Sequence, residues 1–499
     1  MSFTGKFNKI TRRLRKVNAN SLVALSAVKI REVEQRSAPD YQGWLPWNLL
    51  LLMRWGIEFG RHEGGVQADE QMLASLMNDA QGLLAVDPYL QDKTNGGIEK
   101  FFRRVAYQQF WFQRSISKMD FGRLWLLHRD IPEDGEIAKA LMEASGLSVK
   151  DFVAMCAIVW AIDTTRPGVP LTLDLLDESI NIDRAMLKKF MACVSTTISA
   201  FNREVSRRKG AVRSRVLQVH ERTPFLRYPL LREGEAYLVV SKRVLGQSII
   251  ELPWRVARER RGNDAAVEYG FHLERYVEKG LTDSAVRFKN EAELRAICRD
   301  SKVSDFCLFG EDQAVVIETK SVEIRPCAAL NPINEVLWRE LEDNVLKGIV
   351  QGFSTATAIA RQGSTDEDPQ DWRYSLWILT PGRLLLGPGI SAWEELLGSP
   401  VERALRDADI SDEIIPPGRI HFLSLEEFDF AMSVVDGGSK ALDRVATTTD
   451  QSGTLPGQRR YQFEQSLAEL GELNAPDYLS KAHDELWDYA KEMFIESDT

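Results

Sequence analysis

The chain has 499 residues, 44% hydrophobic and 27% charged, an ordinary globular composition with room for two to four domains. A formal net charge of −10 argues against a general nucleic-acid coat protein, and five scattered cysteines (Cys156, Cys193, Cys298, Cys307, Cys327) have neither a disulfide framework nor zinc-ligand spacing. No stretch approaches the length of a membrane span, and basic Met1–Lys16 lacks the apolar segment of a secretory signal, so the expected location is the cytoplasm.

From residue 17 to 208 the apolar periodicity predicts helices almost throughout, including Asn20–Glu34, Leu49–His62, Glu70–Leu84, Gly97–Ile116, Asp151–Ile162 and Asp183–Arg208. Ser148 followed by Asp151 resembles a capping box. Phe110-Trp111-Phe112 offers rings for stacking on bases, although a core stripe is the commoner use of such a run. Basic clusters occur at Lys6–Lys16, at Arg203–Arg215 (with Arg207, Arg208 and Lys209) and at Arg255–Arg261 (Arg255, Arg258, Arg260, Arg261). Each supplies candidate phosphate contacts, although a solvated face is the commoner reading of any single such cluster. Beyond Arg222 the composition turns strand-like in Pro224–Leu230 and Ala236–Ser241, joined by the polar Arg232-Glu-Gly-Glu turn.

A helix follows over Asp264–Leu281, with Val267, Phe271, Val277 and Leu281 expected to face a core and Glu274 on the same side. Then comes the most informative segment, Ser304–Lys320. Two apolar runs, Phe306–Phe309 and Ala314–Ile317, flank a Gly-Glu-Asp-Gln turn, which predicts a β-hairpin. Centring the turn between Glu311 and Asp312 places Asp305 opposite Glu318. Opposed like charges, with Cβ atoms about 5 Å apart, destabilise a sheet unless something compensates. Glu318 and Lys320 share a strand face. A divalent cation held between two carboxylates beside an ammonium is the simplest relief. A long helix over Glu335–Arg361, carrying Lys347 and Gln351, and a strand over Trp372–Thr380 come next. Beyond the break at Gly387-Pro-Gly389, one more strand is expected at Ile420–Leu423, a mobile linker over Gly437–Arg460, and a helical segment over Tyr461–Phe494.

Asp305, then Glu318-Thr319-Lys320 after a buried strand, resembles the signature of the PD-(D/E)XK nuclease superfamily, with Ser304 where proline is usual. The only Asp-x-Lys, Asp300-Ser-Lys302, follows a helical stretch and lacks that context. Helix, strand, hairpin, helix and strand match the common core of the fold over roughly residues 263–385, about a quarter of the chain. The resemblance implies a restriction-endonuclease-like α/β core, a central mixed sheet flanked by helices, here with a large all-α N-terminal domain and a helical C-terminal tail. The domains are then 1–210, a β-containing connector 211–262, the nuclease-like domain 263–435, and linker with C-terminal helix 436–499. It also implies catalytic roles for Asp305, Glu318 and Lys320, with Glu274 reaching in from the first helix and Gln351 from the second. Mg²⁺ or Mn²⁺ would be held by Asp305, Glu318 and the Thr319 carbonyl, with Glu274 as an added ligand.

The expected function is hydrolysis of nucleic-acid phosphodiesters, DNA ahead of RNA, with Lys347 and the basic clusters as nucleic-acid contacts. The large helical region is what a bacterial defence effector with an activating protein partner would need, and cutting both strands of a duplex would favour a homo-oligomer. Two other classes stay open: a scaffold that binds nucleic acid without cutting it, and a regulatory protein in which the hairpin is structural. The chain lacks the Gly-Lys-Ser/Thr phosphate loop and the Gly-x-Ser-x-Gly elbow.

Overall fold

A computed structural model describes residues 2–36, 43–87, 97–207, 211–298, 302–331, 333–362, 372–436 and 438–494. The protein is mostly helical with two small mixed sheets, and it divides into two compact units. The first comprises Met1–Ala265, Arg325–Pro332 and Ala482–Thr499; the second comprises Ala266–Ile324 and Ile333–Lys481.

The first unit is built from amphipathic helices with polar caps. Asn18 accepts from the Ser21 amide and Ser148 from the Asp151 amide, the latter the cap expected from sequence. Its core gathers Ile10, Leu14, Leu22, Leu49–Met53, Trp55, Phe112 and Phe201. Phe112 is therefore packing, not a free stacking surface. The unit is not all-α. Strands β1 (Leu171–Thr172), β2 (Ser195–Thr197), β3 (Leu230–Glu233) and β4 (Ala236–Val239) form a sheet in the order β1-β4-β3-β2. The expected continuous helix Asp183–Arg208 is interrupted at β2, where Ser195-Thr-Thr is rich in β-branched residues. The Ser195 hydroxyl also turns back to the Met191 carbonyl at 2.7 Å, competing with the helix ladder. Gly234 occupies the β3–β4 turn at φ +60°. Pro224–Leu226 is a short 3₁₀ turn rather than a strand, with Pro224 fixing its first turn. Residues 211–262 belong to this unit instead of forming a connector: β3 and β4 complete its sheet, and the helix Lys242–Arg261 packs on Glu136–Ser145 and Val149–Thr165. Among the described residues no single helix is long and apolar enough to cross a membrane.

The second unit contains the expected mixed sheet: β5 (Phe288–Asn290), β6 (Phe306–Phe309), β7 (Gln313–Thr319), β8 (Arg373–Thr380) and β9 (Ile420–Ser424), in that spatial order. Pairing is antiparallel from β5 to β7 and parallel from β7 to β9. β7 is buried along its whole length, as a central strand must be. Ala314 and Val316 of β7 face Ile349 and Phe353 of a helix that runs Asn334–Leu341, takes one wide π turn at Glu342–Leu346 and continues as Lys347–Gln362.

The expected linker over Gly437–Arg460 is a correction. Ser439–Thr449 is a helix with Leu442, Val445 and Ala446 buried, an apolar spacing hidden by its Ser/Thr-rich composition. Its Asp443 carboxylate accepts from the backbone amides of Glu311 (2.9 Å), Asp312 (3.3 Å) and Gln313 (3.1 Å), closing the β6–β7 turn. Gly310 is required there, since a Cβ would collide with that carboxylate. Asp443→Ala therefore leaves three turn amides without their acceptor and should cost about 1–3 kcal/mol, read as a lower urea midpoint at unchanged slope. The second unit accordingly extends to Lys481, well past the expected limit at 435.

Candidate active site

The hairpin register is the one expected. Phe306 pairs with Ile317, Cys307 with Val316, Leu308 with Val315 and Phe309 with Ala314, so the next position outward sets Asp305 against Glu318. Both lie at the end of β7 where its neighbour β8 also terminates its parallel run, the edge at which open α/β sheets carry their sites.

Each carboxylate is held differently. Asp305 Oδ2 accepts from the Thr319 amide at 2.6 Å and from the Thr319 hydroxyl at 2.7 Å. Glu318 is 1% exposed; its Oε1 takes the Lys320 ammonium, while Oε2 is buried with no hydrogen-bond partner. An orphaned carboxylate oxygen in a dry site is costly and calls for a cation or a proton. Burial, then the facing Asp305 charge, pushes the Glu318 carboxyl up to about 8, offset by the Lys320 ammonium and the nearby Ser304 hydroxyl. Glu274 is half-buried and pushed up to about 7, by burial first and then by the charges of Asp305 and Glu291. Burial raises Asp305 as well, with the Thr319 hydrogen bonds opposing it. Three carboxyls, Asp305, Glu318 and Glu274, are thus pressed toward their neutral forms around one ammonium.

Glu274 does reach this cluster, but its helix is turned differently from expectation. Asn263–Asp283 buries Tyr269, Leu273, Tyr276, Val277 and Leu281, whereas Val267 and Phe271 are 55% and 60% exposed. The buried stripe is set by Tyr269 and Tyr276, and the Tyr276 hydroxyl donates to the buried Asp429 carboxylate at 2.5 Å. Periodicity alone did not separate these two adjoining apolar faces.

Gln351 does not point its amide at the carboxylates. Its Nε2 donates to the Val303 carbonyl, and one turn on, Thr355 Oγ1 accepts from the Ser304 amide at 2.8 Å. These two side chains clamp the strand entry that carries Asp305. Sequence reasoning missed Gly348, a neighbour of the pair. A Cβ there would lie 3.1 Å from Glu318 Cγ and 3.2 Å from Lys320 Cε, so the helix uses glycine to approach the site closely. Gly348→Ala should leave stability within about 1 kcal/mol, because helix propensity offsets crowding. Thermal melts of the purified variant read this.

The expected nucleic-acid contacts are mostly engaged elsewhere. In the first unit Arg255 donates to the Leu226 carbonyl at 2.9 Å and to Ser248 Oγ at 3.0 Å, Arg258 lies over the Trp254 ring, and Arg261 pairs with Glu136 and Glu143. Arg207 and Arg260 are exposed, while Arg208 and Lys209 lie outside the described residues. In the second unit Lys347 is exposed and pairs with Asp343 at 3.0 Å.

A divalent cation suits the donors by chemistry: the carboxylates of Asp305 and Glu318, the latter with its Oε2 buried, are hard oxygen ligands. Among the described residues no group of three or more His, Cys, Asp or Glu side chains converges closely enough to hold an ion. That leaves Asp305 and Glu318 as the pair that would hold a cation, since Glu274 does not join them in a three-carboxylate group. Comparison with protein-family models, curated proteins and solved structures returned no match.

Proposed function

We propose that this protein is a metal-dependent nuclease that hydrolyses phosphodiester bonds, with DNA as the leading substrate class. The single observation that carries this reading is Glu318: a carboxylate 1% exposed, opposed in register by Asp305, with Oε2 buried and only the Lys320 ammonium and the Ser304 hydroxyl to offset its charge. A purely structural hairpin end has no reason to bury that arrangement, because replacing it with apolar residues would be neutral or stabilising.

Asp305, Glu318 and the Thr319 carbonyl would hold Mg²⁺ or Mn²⁺, which when bound supplies charge neutralisation and Lewis-acid polarisation of the phosphoryl group. The Thr319 amide and hydroxyl fix the Asp305 carboxylate, leaving its second oxygen for the site. Lys320, paired to Glu318 Oε1, brings an ammonium to stabilise charge that grows on the phosphoryl oxygens. Glu274, whose carboxyl burial and then the Asp305 and Glu291 charges push up, would be the group that exchanges a proton with the attacking water. Gln351 and Thr355 keep Asp305 in place from behind.

The test is incubation of the purified protein with plasmid DNA, single-stranded DNA and RNA in Mg²⁺, Mn²⁺ or EDTA. Cleavage that needs the cation and is lost in Lys320→Ala supports the reading. Cleavage that persists equally in EDTA or in that variant overturns it.

A further inference from the structure

The helix that brings Glu274 to the site also presents an exposed apolar face beside it. Phe271 is 60% exposed and Val267, one turn earlier, is 55% exposed. Spacing of four and three residues puts Val267, Phe271 and Glu274 on one side, and exposed Arg275 follows Phe271 by one turn. The same helix touches the strand end: Ser321 Oγ donates to the Ala266 carbonyl at 3.2 Å and lies 4.0 Å from where a Gly270 Cβ would be. A strand bound past Lys320 and Glu274 would meet a phenyl ring and then a guanidinium.

Resting on the nuclease reading, we propose that Phe271, backed by Val267, is a stacking platform for an unpaired base of the nucleic-acid strand, with Arg275 on the adjoining phosphate. Size decides against a protein occupant. Two side chains fall far short of the roughly 800 Å² that each partner of a stable protein interface buries. One phenyl ring matches one base, and alternation of aromatic and cationic side chains is how single strands are held without sequence preference. The proposal makes single-stranded or locally opened nucleic acid the preferred substrate.

Fluorescence anisotropy of a labelled oligodeoxythymidylate of about 12 nucleotides, in EDTA so that nothing is cut, tests this with the full-length protein. Phe271→Ala is expected to weaken binding about tenfold or more, Phe271→Trp to retain it, and a duplex of equal length to bind less tightly than the single strand. Wild-type binding that Phe271→Ala leaves unchanged overturns this inference and spares the nuclease reading, which cleavage of plasmid tests separately. Absence of binding to every DNA and RNA probe, together with absence of cleavage, overturns both. A wild-type dimer that Phe271→Ala converts to monomer on size-exclusion chromatography, with oligonucleotide affinity unchanged, overturns it in favour of self-association.

Discussion

Glu318→Gln is expected to reduce cation-dependent cleavage on the order of a thousandfold or more while leaving the protein folded. The substitution keeps volume and one hydrogen-bonding oxygen but removes the charge that a cation needs at the buried Oε2. Lys320 loses its partner in the variant, yet it is only partly buried and can turn toward solvent. Folding should therefore tolerate the change, and removal of a carboxylate that burial penalises adds stability at alkaline pH. Single-turnover rates under saturating Mn²⁺ check the first statement and thermal melts the second. A variant that cuts at the wild-type rate contradicts the assignment of Glu318.

The second large effect is on stability against pH without divalent cations. Glu318 is raised from an ordinary glutamate to about 8 and Glu274 to about 7. A carboxyl with a raised folded value favours folding in its neutral form. Its contribution is fully present below about pH 4.5, the unfolded value, and is lost as pH rises through 7 and 8. The cation-free protein should lose on the order of a few kcal/mol from these two groups between pH 5 and 9. Glu318→Gln should flatten much of that decline. Added Mg²⁺ or Mn²⁺ should restore stability most strongly at the alkaline end, because binding competes with the proton. Urea denaturation across this range measures it, and a stability profile identical in wild type and Glu318→Gln would contradict the burial argument.

Much of the second unit was legible in the sequence because its signals are local. The apolar runs Phe306–Phe309 and Ala314–Ile317 and the polar turn between them implied a register that the structure reproduces pair by pair. Gly348 was not legible: a glycine within a helical pattern carries no sign that its missing side chain is what the neighbouring Glu318 and Lys320 require. Gln351 was identified, but its partner, the Val303 carbonyl, depends on how the helix is rotated over the sheet. Asp443 lies far along the chain from the turn it closes, within a segment whose composition imitates a linker. β1 and β2 are two and three residues long and exist only because β3 and β4 are there to pair with them.

Calorimetric titration of Mn²⁺ into the purified protein at pH 8, in parallel with Glu318→Gln and Asp305→Asn, tests the central claim most directly. The account predicts saturable binding by wild type, with proton release, that both substitutions remove. Equal binding by wild type and both variants, or no saturable binding by wild type in the presence of substrate analogue or in its absence, would contradict a cation site between Asp305 and Glu318.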